Sequence, residues 1–197
     1  MFAAVLLAVT ALASASPAAQ SVKAPPLVPG DAWQTGLRPG EIKRVYDGLL
    51  DRTEVWLEMV PAPEGANPNP TTLYFAVVFR GRVLKATPER VWVRAQSDLT
   101  QQPRRLRSAT FALSVDGAML VNVANPKDAD EASRHFPCGP GGDCAFDGIV
   151  APMPTMDFYR LLQGRRVFGE ALGFPFTLGP EQIALLAAFA RELVPGR

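Results

Sequence analysis

The sequence is poor in the residues that most enzymes use to move protons or hold metals. It has one histidine, His135, and two cysteines, Cys138 and Cys144, in 197 residues. A Ser–His–Asp or Cys–His system would have to use His135, and Ser133 stands too near it in sequence to be a natural partner. No G-x-S-x-G stretch is present. His135 sits in an HFPC context that reads as a loop anchor. There is no excess of charge of either sign, with 20 basic against 19 acidic side chains, so nothing advertises nucleic acid or an anionic polymer as the partner. There is no G-x-G-x-x-G and no P-loop. The CGPGGDC segment has the glycines but neither the lysine nor the strand-to-helix setting. No repeat, heptad or low-complexity tract occurs. Nothing implies a cofactor.

No apolar run is long enough to cross a bilayer. The longest, FAAVLLAVTALA, lies within residues 1–19, which carry no charged side chain and end in small residues. It reads as an export signal, with cleavage expected after Ala15 or Ala19. Residues 20–38, rich in proline, glycine and small side chains, read as a linker or extended arm that Trp33 could pin to the surface. Residues 39–197 are expected to form a single β-rich domain.

Nineteen prolines and 16 glycines are spread as punctuation between apolar runs, which favours many short strands over a helical bundle. For the segment 41–47, Ile42 and Val45 with Leu49 beyond it fit a helical stripe, but the β-branched and aromatic content favours a strand. Residues 53–60 alternate, with Val55, Leu57 and Met59 on one face and Glu54, Trp56 and Glu58 on the other. Residues 71–79 are apolar on both faces, as a central strand covered on both sides would be. Residues 90–95 alternate again. Asp116-Gly117 between two apolar runs is a hairpin signal, because both turn positions need positive φ. A two-residue turn would set Val115 opposite Ala118 and Leu113 opposite Leu120, leaving Val121 and Val123 on the face away from Phe111. A short strand is expected over 149–153.

The C-terminal run 156–194 reads as short helix, two strands, long helix. Thr155 is the expected cap of the first helix, and Gly164 its left-handed stop. Two strands are expected around Gly173. Pro180 opens the second helix, with Ile183, Leu186, Ala187, Ala190 and Leu193 as its apolar stripe. Strands first and helices last predict a mainly β, α+β domain: an antiparallel β-sandwich with the two helices packed on it.

Cys138 and Cys144 are close and separated by a flexible, glycine-rich loop. In an exported chain that pattern predicts a disulfide; two thiols and one histidine are too few for a structural metal site. Glu54 and Glu58, and the acids of 128–131, could pair for acid–base work. Acids at alternating strand positions face water by default. Arg104, Arg105 and Arg107, and Arg165 and Arg166, could clamp a phosphate or acidic sugar, but such clusters also serve turn solubility.

From Tyr46 onward the order of signals resembles a recurrent class of small exported bacterial β-rich proteins. The resemblance rests on Tyr46-Asp47, Asp51 to Thr53, Val115 to Gly117, and the ending from Phe176 to Phe189. It implies a secreted β-rich domain and brings no catalytic residue with it. The expected function is therefore an exported, non-enzymatic binding or structural domain of the cell envelope, periplasmic or secreted, with an envelope protein or small ligand as partner. An envelope hydrolase using carboxylates or His135, and an assembly accessory for a surface complex, are the alternatives.

Overall fold

The computed structural model describes residues 27–29, 38–63, 71–98, 110–123, 136–137 and 145–196. His135, Cys138, Cys144, Trp33, the acids of 128–131, the arginines of 104–107 and the leader all lie outside the described residues.

The strands are β1 (Ile42–Asp47), β2 (Arg52–Met59), β3 (Ala62–Pro63), β4 (Thr71–Arg80), β5 (Arg90–Asp98), β6 (Phe111–Val115), β7 (Ala118–Val123), β8 (Phe136–Pro137) and β9 (Ala145–Pro154). After α1 (Thr155–Gln163) come β10 (Val167–Ala171), β11 (Phe174–Leu178) and α2 (Pro180–Ala190), which runs into a 3-10 turn, Arg191–Leu193. Every pairing is antiparallel. The first sheet has the order β1-β2-β4-β5-β9-β8 and the second β3-β11-β10-β6-β7. The fold is therefore mainly β in two sheets, with one short helix and one C-terminal helix, as the sequence predicts.

The alternation of β2, β4 and β5 sends Val55, Leu57, Met59, Leu73, Phe75, Val77, Val91 and Val93 into a core shared with the second sheet and both helices. Phe158 of α1 joins the layers. Its ring lies 6.1 Å from that of Phe75 in the first sheet and 5.9 Å, edge-on, from that of Phe189 in α2. Rings offset in this way add to the area they bury.

Four local expectations are corrected. The β6–β7 hairpin turns at Asp116 and Gly117 with positive φ and pairs Val115 with Ala118. A bulge then intervenes, so Leu113 faces Val121 rather than Leu120. One extra residue reverses the alternation and returns Val121 and Val123 to the core. Thr155 is the first helical residue rather than the cap, and its hydroxyl donates to the carbonyl of Pro88, 2.5 Å away. Gly164 is extended rather than left-handed. A glycine suits this position because a Cβ would collide with Cγ2 of Val115. The expected short strand over 149–153 is ten residues long, since it pairs with β5 from Phe146 to Pro154 and with β8 at its start.

β10 and β11 turn at Leu172 and Gly173, both at positive φ. They are not an isolated hairpin: β10 pairs with β6 as well as with β11. In α2, Leu186 and Phe189 are the buried positions, whereas Ala187 faces out. The helix opens at Pro180, and the Gln182 side chain reaches back to accept from the amide of Gly179 at 3.0 Å.

Candidate functional site

The outer face of the first sheet holds polar and aromatic side chains that are buried. Glu54, Trp56, Tyr74, Trp92, Arg94 and Gln96 are each at least nine-tenths covered. The register sets them in rows: Glu58, Tyr74 and Arg94 across β2, β4 and β5, and next to it Trp56, Ala76 and Trp92. Trp56, Tyr74, Ala76 and Trp92 form a second, small core, against which Val28 of the N-terminal arm packs. The indole N–H of Trp92 donates to the carbonyl of Leu27 at 3.1 Å, so the arm is tied to this face. The expectation of a solvated face is thus overturned for Glu54, because the chain's own arm takes part in covering that face.

Glu54 is held at both oxygens. Oε1 meets Nη2 of Arg52 at 2.8 Å, and Oε2 accepts from the Trp56 indole at 3.0 Å. A carboxylate held at both oxygens by neighbouring side chains acts as a structural anion. Glu58, half-buried, is the other acid singled out by sequence. Burial raises its carboxyl above the usual range, and the charge of Glu41 raises it further. The acid that acts on Glu58 is therefore Glu41, which the sequence reading passed over. Tyr74 is pushed up to about 12, by burial first and by Glu58 second, against the opposing charge of Arg94. The Arg94 guanidinium lies over Gly148, where a Cβ would approach its Nε to 2.8 Å, so a side chain there would have to displace the guanidinium.

An open pocket of about 140 Å³ lies where the arm crosses Trp92, lined by Leu27, Val78, Pro88, Glu89 and Arg90. Small-molecule sites usually run to about 300 Å³ or more, so this pocket suits a few solvent molecules or a small ion better than a metabolite. Among the described residues, no group of three or more His, Cys, Asp or Glu side chains is placed to hold a metal.

Apolar surface is exposed elsewhere, at the end of the first sheet where β1 turns into β2. Leu49, in the turn at residues 48–51, is 98% exposed, and Leu50 beside it 56%. The amide of Gly81, just past β4, donates to the carbonyl of Asp51 at 2.8 Å, which seats the next turn and the exposed Val83 against this one. The amide of Gly196 donates to the carbonyl of Leu84, bringing the exposed Val194 to the same end. Thr155 bonds to Pro88 and Glu89, placing the exposed Met156 there too. Leu49 is therefore not part of an amphipathic stripe with Ile42 and Val45; it is the tip of a hairpin.

Charges at this end are sorted. Asp47 Oδ1 accepts the amides of Leu49 and Leu50, and Asp51 Oδ1 accepts the Tyr46 hydroxyl at 2.9 Å. Arg82 stacks over the Tyr46 ring, 4.2 Å from its centroid. Arg80, Arg82 and Lys85 are exposed. Over residues 80–90 four bases stand against one acid, Glu89. Arg165 and Arg166, the remaining candidate clamp, extend their side chains into solvent while their amides bind the Asp116 carboxylate, so they serve a turn.

Compared with family models, curated proteins and solved structures, the chain matches none. Among the described residues no helix is long and apolar enough to cross a membrane.

Proposed function

We propose that the chain is an exported, non-enzymatic binding domain of the bacterial cell envelope that docks through the hairpin end of its first sheet. The observation that carries this reading is the gathering of Leu49, Leu50, Val83, Met156 and Val194, all exposed, at one end of one sheet. Large apolar side chains left exposed along one end of a sheet are candidates for an interaction surface. The apolar run within residues 1–19 and the small residues after it support export, though no Lys or Arg precedes the run, and the close pair Cys138 and Cys144 suits an oxidising compartment. The buried charges of the outer face are taken up by structure, as the double engagement of Glu54 illustrates.

Expression with its own leader in a Gram-negative host, followed by fractionation and intact-mass measurement, tests both halves. The expected product has lost its leader, weighs two hydrogen atoms less than its reduced form and accompanies the envelope. The double substitution Leu49→Ser, Leu50→Ser should release it into the soluble periplasmic fraction. An unprocessed cytoplasmic product would overturn export. Unchanged envelope association of the double variant would overturn docking through this end.

A further inference from the structure

We infer that the surface met by this end of the first sheet is an anionic phospholipid surface, an inference that rests on the docking reading above. The apolar element is a tip rather than a groove. Leu49 is almost fully exposed at the summit of a tight turn. A side chain standing clear of its own protein finds cover in a soft phase without needing a pocket shaped to receive it. Insertion to the depth of the headgroup–acyl boundary is what interfacial apolar side chains do.

The flanking charges fit the same surface. The acids of the hairpin are turned to its own groups, Asp47 to two amides and Asp51 to Tyr46. Arg80, Arg82 and Lys85 remain exposed on the neighbouring strand end and turn. Long basic side chains at that level can reach lipid phosphates while their stems lie along the apolar boundary. With Asp47 and Asp51 of the hairpin counted, this end carries four bases to three acids, so the bases lead only on the strand end and turn after β4, beside the leucines. Nucleic acid would also meet the bases, but it offers nothing to two leucines at the summit.

The test is sedimentation of the full chain with vesicles of phosphatidylcholine alone, and with vesicles in which a third of the lipid is phosphatidylglycerol. The leader has no charged side chain and is the same in every variant, so its own partition, with that of the α-amino group, cancels when variants are compared. Wild type is expected to bind the anionic vesicles better and to lose the difference in high salt. Leu49→Ser, Leu50→Ser should reduce the salt-sensitive binding about tenfold. Arg80→Ser, Lys85→Ser should abolish the preference for the anionic lipid, and Met119→Ser, an exposed methionine on the second sheet, should change nothing. Circular-dichroism melting checks that each variant is folded. Equal binding to both vesicles, or full binding by the leucine variant, overturns the inference. If vesicles fail but association with the envelope still depends on Leu49 and Leu50, the partner is an envelope protein or polymer; lipid is then refuted and docking stands. If neither depends on the leucines, both readings fall.

Discussion

The indole N–H of Trp56 donates to Oε2 of Glu54, two residues away on the same face of β2, across 3.0 Å. With Arg52 on the other oxygen, one carboxylate neutralises a cation and satisfies a buried donor. Removing it takes that partner from both. Glu54→Ala is expected to destabilise the domain by about 2 kcal/mol, chiefly because the buried Trp56 indole N–H is left unpaired while the partly exposed Arg52 can turn to water. Glu54→Gln should cost less, because an amide oxygen can still accept from Trp56. Denaturant unfolding of the two variants measures the difference, and equal losses would show that the indole bond contributes nothing.

Gly164 faces Cγ2 of Val115, with no room for a Cβ between them. Gly164→Ala should therefore cost roughly 1–3 kcal/mol through overpacking. The penalty should shrink markedly in a Val115→Ala background. A double-mutant cycle reads the coupling directly. Additive losses would show that Val115 is not the obstacle.

The outer face of the first sheet predicts two pH effects. Glu58 has a folded-state carboxyl raised by burial and by Glu41. Such a group favours the fold when protonated; its contribution is complete below the ordinary value of 4.5 and is lost as pH rises through the raised one. Glu58→Gln should accordingly stabilise the domain at neutral pH and make no difference at about pH 3. Tyr74 ionises near 12 when folded against 10 when free, so stability should fall between those values, and Tyr74→Phe should remove its share of the fall. Thermal melts across the pH range, with phenolate absorbance at the alkaline end, test both signs.

Asp116 accepts from the amides of Arg165 and Arg166 at 3.0–3.2 Å while holding a positive φ in its own turn. Asp116→Ala loses the acceptors and meets strain at φ 49°, for an expected loss of about 2 kcal/mol. Asparagine tolerates that backbone and keeps one oxygen, so Asp116→Asn should lose about half as much. Chemical unfolding ranks the two.

Much of the architecture is legible from side-chain period alone. Val55, Leu57 and Met59 against Glu54, Trp56 and Glu58 define the faces of β2, and the two-sided apolar run around Phe75 marks β4 as central. The bulge between Leu113 and Ser114 is not legible, since it follows from the core demanding Val121 and Val123, a tertiary preference that no turn signal encodes. Nor is the burial of Glu54 and Trp56. Alternation says which face a residue takes and not what lies on that face, and the cover includes an arm whose composition reads as a linker. The exposed tip was hidden for the opposite reason: Leu49 is apolar at a spacing that completes a stripe with Ile42 and Val45. Only the positions of β1 and β2 show that it has no core to enter.

The order of the second sheet bears on when the molecule can finish folding. β10 and β11 sit between β3 and β6, so strands made last occupy the middle of the sheet. The first sheet can pair all six of its strands from residues up to 154, but β6 keeps an open edge until residues 167–171 arrive. A chain delivered from its N-terminus therefore stays incompletely closed until nearly its full length is present. Truncation or stalling anywhere before β10 should leave β6 free to pair with whatever strand it meets.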